Sequence, residues 1–324
     1  MTRKELFLQA LTGQKTPVPV WAEMYIDEGV KGAFAPEIPE GMMFEEFAGM
    51  SACSLAGPYY PPGFIKDFEG DASIPLLQER GDLSKMVFPD ADDERFYEPA
   101  KAFLASAPKD LAVGVCTDLA AGAALASMGV EGFAYALADD PDFAAEVFMR
   151  YGEWSAKVHR NLCRLGFDFI WSGGDIAFNT GPFFSPEVFR EYILPAMKRS
   201  AAEITVPWIY HSDGNLNPIL DDLLSLGMNG LHPFEPGGMD ILKTKQKYGA
   251  RLCVVGNVNI DLLARGTPTE VEKETTRILE TLAPLGGHIL SSSNSLAFYV
   301  QPENLRAMMR SVAKPRELTN NQQP

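Results

Sequence analysis

The chain has 324 residues, with 28 Lys and Arg against 43 Asp and Glu, a net charge of −15, 46% hydrophobic and 22% charged residues. That balance is globular, and surplus acid without a Lys/Arg-rich run opposes attraction to phosphate backbones, so nucleic acid is excluded as a partner. No apolar stretch approaches the roughly 20 residues that cross a bilayer, so a soluble protein with no membrane partner is expected, and four scattered cysteines without a CxxC pair argue against a disulfide framework or a Cys-built structural zinc site.

The opening MTRKELFLQALTGQK spaces apolar residues helically and lacks both the apolar run and the cleavage site of a signal peptide. Export is not indicated, and the scattered cysteines make a reducing cytoplasm the expected location. Short apolar runs alternating with longer amphipathic segments then predict parallel strands alternating with helices. The runs are 17–24 (PVPVWAEM), a weaker one at 50–56 (MSACSLA), 111–117, 167–172, 206–211, 229–232, 251–256 and 287–292. Eight is the number that closes a (β/α)8 TIM barrel, so the predicted fold class is α/β. Helices are predicted at 141–165, 186–203 with a kink at Pro195, 267–283 and 302–313, from their Pro, acidic and N-cap starts. Residues 57–100 are rich in Pro, Gly and aromatics and read as an insertion over the barrel mouth, with Tyr59, Tyr60 and Phe64 as lid residues or as packing. Residues 1–315 are read as one elaborated barrel domain with an N-terminal extension, and 316–324 as a disordered polar tail.

In such a barrel the loops after the strands share one open face, so polar residues just beyond each run are the site candidates. They are Glu23, Thr117, Asp118, Asp175, His211, Asp213, His232, Glu235, Asn257 and Asn294. His211-Ser212-Asp213-Gly214-Asn215 puts an imidazole and a carboxylate two residues apart, on one face of an extended chain, where both reach one metal ion or one substrate atom. A structural His beside an Asp-Gly turn remains the alternative. Asp175 follows Gly173-Gly174 and is either a site acid or turn chemistry. Glu23, beside Trp21 in a strand expected to line the barrel, is either a carboxylate pushed towards neutrality or one partner of a rim salt bridge. His211, Asp213, Asp175 and Glu23 are the catalytic candidates, with His211 and Asp213 as metal ligands. Tyr25, Asn179, Tyr210, His232, Asn257 and Asn294 are the candidate substrate contacts. His159, within a helix, and His288, entering a strand, read as structural. Neither GxGxxG nor GxxxxGK[ST] is present, so no nucleotide cradle is predicted.

The segments RKELFLQALTGQKTPVPV, DFIWSGGDIAFNTGPFFSPEVFREYILPAMKR, IYHSDGN, GNVN before LLARGTPTEV, and GGHILSSSNSLAFYVQPENLRAMM together resemble the uroporphyrinogen decarboxylase superfamily, which includes cobalamin-linked methyltransferases. The resemblance implies a (β/α)8 barrel. The decarboxylases carry an arginine-rich RQAGR segment after the first strand and a GHG histidine after the eighth, where this sequence has WAEMYID and Asn294. The zinc methyltransferases bind metal through His-x-Cys and a later Cys, where this chain has His211, Asp213 and Asn294. The resemblance therefore points to the corrinoid-dependent demethylase branch. It implies methyl transfer from a small methylated ether or amine to a corrinoid on a partner protein, or between a corrinoid and an acceptor, with zinc or another divalent metal. Decarboxylation of a carboxylated substrate, and a non-catalytic barrel that binds a corrinoid or small ligand, are the alternatives.

Overall fold

A computed structural model describes residues 1–59 and 77–314. Its strands are β1 (Ala52–Leu55), β2 (Ala112–Asp118), β3 (Phe169–Gly173), β4 (Ala177–Phe178), β5 (Gly181–Pro182), β6 (Trp208–His211), β7 (Gly230–His232), β8 (Cys253–Val255) and β9 (His288–Ile289). Seven of them form a parallel sheet in the order β1-β2-β3-β6-β7-β8-β9, while β4 and β5 pair as a small antiparallel ribbon. The weaker run at 50–56 forms β1, whereas the run at 17–24 forms no strand of its own. Pro17 and Pro19 have no N–H to give a ladder, and pairing is confined to residues 20–22. Those three residues hydrogen-bond to both sheet edges: Ser51 N donates to Trp21 O (2.7 Å), Ala22 N to Leu290 O (3.1 Å) and Leu290 N to Val20 O (2.8 Å). One short segment thus joins the first and last strands, and the sheet is curled.

Side chains alternate between two faces along each strand. On one face Ala112, Cys116, Phe169, Trp171, Ile209 and Val255 share a buried cluster with Leu6, Phe7, Ala10 and Leu11 of the helix Arg3–Leu11. That opening helix therefore plugs the interior from one end. Continuing the same two-residue period to the C-terminal strand ends reaches Met24, Asp118, His211, His232, Asn257 and Ser291. The register makes this a layer, since Asp118 pairs with Gly173 and His211 with His232. Trp21 falls on the other face, in the cluster between strands and helices.

Helix Pro141–Leu165 starts where Asp140 accepts from Phe143 N and stops at Gly166 in the left-handed region (φ 99°). The predicted 186–203 helix is observed as Pro186–Val188, a π-type turn over Phe189–Ile193, and Leu194–Ala201. The widened turn sits just ahead of Pro195, which lacks the N–H a regular helix needs. Pro268–Leu282 and Pro302–Ala313 match their predicted ranges closely, the first with a Thr267/Glu270 capping box. Helices Ala121–Met128 and Val130–Asp139 were not anticipated, because their Ala- and Gly-rich sequence carries little periodic contrast. They meet at an 86° bend, and among the described residues no single helix is long and apolar enough to cross a membrane.

In the insertion, Tyr59 is buried, stacked on Tyr97 (ring centroids 5.8 Å apart), and its hydroxyl accepts from Ala100 N at 3.1 Å. It ties the start of the insertion to its end, as packing. Tyr60, Phe64 and the 316–324 tail lie outside the described residues.

Helix Ala121–Met128 approaches the loop after β3 so closely that a Cβ on Gly122 would lie 2.4 Å from Gly174 Cα. Gly122→Ala is therefore expected to destabilise by about 1–3 kcal/mol through overpacking. Gly132→Ala, with nothing within 4 Å of the added carbon, is expected to be neutral or to stabilise by up to about 1 kcal/mol. Urea unfolding of both variants checks the contrast, and equal effects would contradict it.

Candidate functional site

A cavity of about 580 Å³ opens at the C-terminal strand ends. One wall is apolar, with Met24, Leu125, Ala126, Val130 and Phe183, and the other carries Asp118, Asp175 and His211. No Lys or Arg lines it among the described residues.

His211 ends β6, and its Nε2 lies 3.7 Å from Asp175 Oδ1 and 3.8 Å from Asp213 Oδ1. The i, i+2 spacing thus does bring His211 and Asp213 to one point, and the loop after β3 adds Asp175. That loop is tied down twice: the Tyr210 hydroxyl donates to Gly174 O (2.9 Å), and Asp213 N donates to Asp175 Oδ1 (3.0 Å). Asn294, from the loop after β9, turns its amide N–H group to Asp213 Oδ1 (3.1 Å), Asp213 Oδ2 (3.0 Å) and Glu235 Oε1 (3.2 Å). It is a clamp on two carboxylates, presenting donors where a ligand would present an acceptor.

The charges are poorly compensated. Burial raises the Asp213 carboxyl to about 7, and the charges of Asp175 and Glu235 push the same way against the Asn294 hydrogen bond. Burial likewise holds Asp118 at about 7, against backbone N–H donors at Ala120 and Ala123 and with the Asp175 charge adding to the shift. Asp118, which belongs to the rim positions but not to the catalytic candidates above, therefore stands beside Asp175 as a cavity acid.

Behind His211 runs a second layer. His211 Nδ1 lies 2.8 Å from His232 Nδ1, and His232 Nε2 lies 3.4 Å from Ser291 Oγ. Burial lowers both imidazole pKa values; the Asp175 charge opposes this for His211, and the neighbouring His211 lowers His232 further. Glu23 is buried and accepts from Trp21 Nε1 (2.9 Å), Ser292 N (2.9 Å), Ser291 Oγ (2.9 Å) and Ser292 Oγ (2.7 Å). Desolvation nevertheless raises it to about 7. Among the described residues Glu23 makes no rim salt bridge, and it does not line the main cavity. With Tyr25 it borders a smaller cavity of about 320 Å³ that shares only Met24 with the first.

The remaining candidates lie apart. Asn179 is on the exposed turn between β4 and β5, and Asn257 donates to Phe234 O at 3.0 Å. His159 bridges Thr117 Oγ1 (2.8 Å) and the Ser200 backbone, and His288 donates from Nε2 to Gly256 O (2.8 Å). Ser291 and Ser292 were missed as participants, since a short run of serines at a strand end reads as turn chemistry and carries no signal of its own.

The donor atoms of Asp175, His211 and Asp213 all lie within 4.8 Å of one another. One imidazole nitrogen and two carboxylates, with one carboxyl raised by burial and by neighbouring acids, fit a divalent cation accepting N and O ligands. A match to the family described as Uroporphyrinogen decarboxylase (URO-D) covers residues 104–315.

The chain belongs to the URO-D family. A methylated-thiol–coenzyme M methyltransferase of Methanosarcina mazei is 29% identical over 127 residues, 39% of this URO-D family chain and 33% of that enzyme, so the match spans only a third of the relative's length. A uroporphyrinogen decarboxylase of Pelodictyon phaeoclathratiforme is 24% identical over 267 residues, covering 76% and 73% of the two chains. A methylcobamide:CoM methyltransferase of Methanosarcina barkeri is 27% identical over 126 residues, 39% and 36% of the chains. Among solved structures, a methyltransferase from Methanosarcina mazei superposes with a TM-score of 0.72 at 20% identity, covering 96% of this chain and 98% of that one. This likeness shows the shared fold.

Because Asp118 is raised from 3.8 to about 7, the folded protein holds a proton there that the unfolded chain releases between about pH 4 and 7. Its contribution to stability therefore falls as pH rises through that window. Asp118→Asn is expected to gain stability relative to wild type from pH 5 to pH 8, measured by denaturant unfolding with chelator present. A difference independent of pH would contradict the assignment.

Proposed function

We propose that this URO-D family protein is a corrinoid-dependent methyltransferase that takes the methyl group of a small ether or amine. The observation that carries the reading is a mostly apolar cavity that ends on the Asp175–His211–Asp213 cluster and, among the described residues, is lined by no cationic side chain. Three named relatives or neighbours are methyltransferases. In this reading residues 20–22 serve as the first of eight strands of a (β/α)8 barrel, and 1–315 form one domain.

Met24, Leu125, Ala126, Val130 and Phe183 hold the methyl-bearing end of the substrate and keep water from it. Asp175, His211 and Asp213 would hold a divalent metal, which when bound supplies Lewis-acid polarisation of the leaving heteroatom. A corrinoid on a partner protein supplies the nucleophile that accepts the methyl group. The heteroatom–methyl bond breaks, its electron pair stays on the heteroatom, and Asp118, whose carboxyl is protonated in part near neutral pH, can deliver the proton. Asn294 keeps Asp213 and Glu235 oriented. Glu23, Tyr25, Asn179 and Asn257 stand outside the cavity wall and have no direct contact with substrate in this scheme.

Decarboxylation of a porphyrinogen has the support of the Pelodictyon relative's name and coverage. Against it, substrate carboxylates would meet Asp118 and Asp175, with no guanidinium among the described lining residues to grip them.

His211→Ala and Asp213→Ala are each expected to lose divalent metal and to lower methyl transfer to free cob(I)alamin by at least about 100-fold. Asp118→Asn should keep the metal while lowering kcat by about 10²–10⁴-fold. Metal analysis together with a transfer assay over methyl ethers and methylamines tests this. Wild-type turnover and metal content in both His211→Ala and Asp213→Ala would overturn the assignment, as would release of CO₂ from a porphyrinogen.

A further inference from the structure

Glu23 and His232 touch no part of the main cavity, yet a hydrogen-bonded chain links them to the imidazole that does. The facing Nδ1 atoms of His211 and His232, 2.8 Å apart, share one hydrogen, so one ring donates and the other accepts. Which one donates is settled at the far end. An ionised carboxylate only accepts, so the Ser291 hydroxyl, 2.9 Å from Glu23 Oε2, donates to it and leaves its lone pairs for His232 Nε2 at 3.4 Å. His232 therefore carries its hydrogen on Nε2. Its Nδ1 is left as an acceptor, and His211 donates to it from Nδ1. The remaining nitrogen of His211, Nε2, then turns a lone pair towards Asp175 and Asp213.

We propose that Glu23, acting through Ser291 and His232, locks His211 in the Nδ1–H tautomer and so presents the Nε2 lone pair to a metal ion in the cavity. Glu23, Ser291 and His232 are positioning residues. The consequence for a ligand rests on the metal reading of His211, but the tautomer is a property of the metal-free protein.

Glu23→Gln makes a sharp test because its outcome is directional. Two donors that cannot reverse, Trp21 Nε1–H and Ser292 N–H, both point at Glu23 Oε1. The glutamine oxygen must take that place, which turns its NH₂ group towards the Ser291 and Ser292 hydroxyls. Ser291 then donates to His232 Nε2, the chain reverses, and His211 carries its hydrogen on Nε2, blocking the metal.

The experiment is long-range ¹H–¹⁵N correlation spectroscopy of the full chain, ¹⁵N-labelled at histidine and freed of metal by chelator, at about pH 8.5 so that Glu23 is ionised. Four histidines are assigned with His159→Gln and His288→Gln. The expected result is Nδ1–H at His211 and Nε2–H at His232 in wild type, both inverted in Glu23→Gln, with Zn²⁺ affinity lowered about 10–100-fold in the variant. An Nε2–H tautomer at His211 in wild type overturns the proposal without need of any variant, as do unchanged tautomers in a folded Glu23→Gln. If the tautomers are as stated but wild type binds no Zn²⁺, the metal reading fails and the lock stands.

Discussion

One hydrogen bond, between two buried imidazoles on adjacent strands, organises the mouth of this protein. It exists because β6 and β7 run parallel in a register that sets His211 beside His232, so that both rings leave the same face at the same height. Burial keeps the pair neutral, and a neutral pair must divide its roles into donor and acceptor. Everything on the cavity side depends on which nitrogen of His211 is left free, and everything behind it, from Ser291 to Glu23, bears on that choice.

The second constraint is charge. Asp118 and Asp175 line an otherwise mostly apolar cavity, with Asp213 and Glu235 close behind, and among the described residues they are met by backbone N–H groups and the amide of Asn294, with no cationic side chain in the cavity wall. Such a group is unfavourable alone and favourable around a cation or a proton-demanding leaving group. It is hostile to an anion. The same arrangement that fits methyl transfer from a neutral or cationic donor thus works against a polycarboxylate, although both chemistries occur among the relatives of this fold.

Much of this was legible in the sequence, because strand periodicity and barrel geometry act together. Once 206–211 is a strand, His211 and Asp213 share a face, and once the strands are parallel the polar residues at their ends converge. Helix Pro141–Leu165 was readable from its Pro start and Gly stop. The failures have equally local causes. Glu23 was expected to line the interior, but residues 20–22 are apolar throughout and give no alternation to tell the two faces apart; the inward positions are Val20, Ala22 and Met24, and Trp21 falls on the other face. Asn294 looked like a ligand position by resemblance, but an amide turned N–H first towards carboxylates cannot be read from spacing. Ser291 became visible only when Glu23 and His232 were seen on either side of it, and the wall formed by Ala121–Met128 was hidden in a sequence of small residues with no contrast between faces.

The most direct test of the central claim is a crystal structure of the protein grown with Zn²⁺ or Mn²⁺ and a methylated ligand, with diffraction recorded on both sides of the metal absorption edge. The account predicts an anomalous peak bonded to His211 Nε2, Asp175 and Asp213, with the ligand's methyl group against Met24 and Phe183. A peak elsewhere, or a ligand seated away from this cavity, would contradict it.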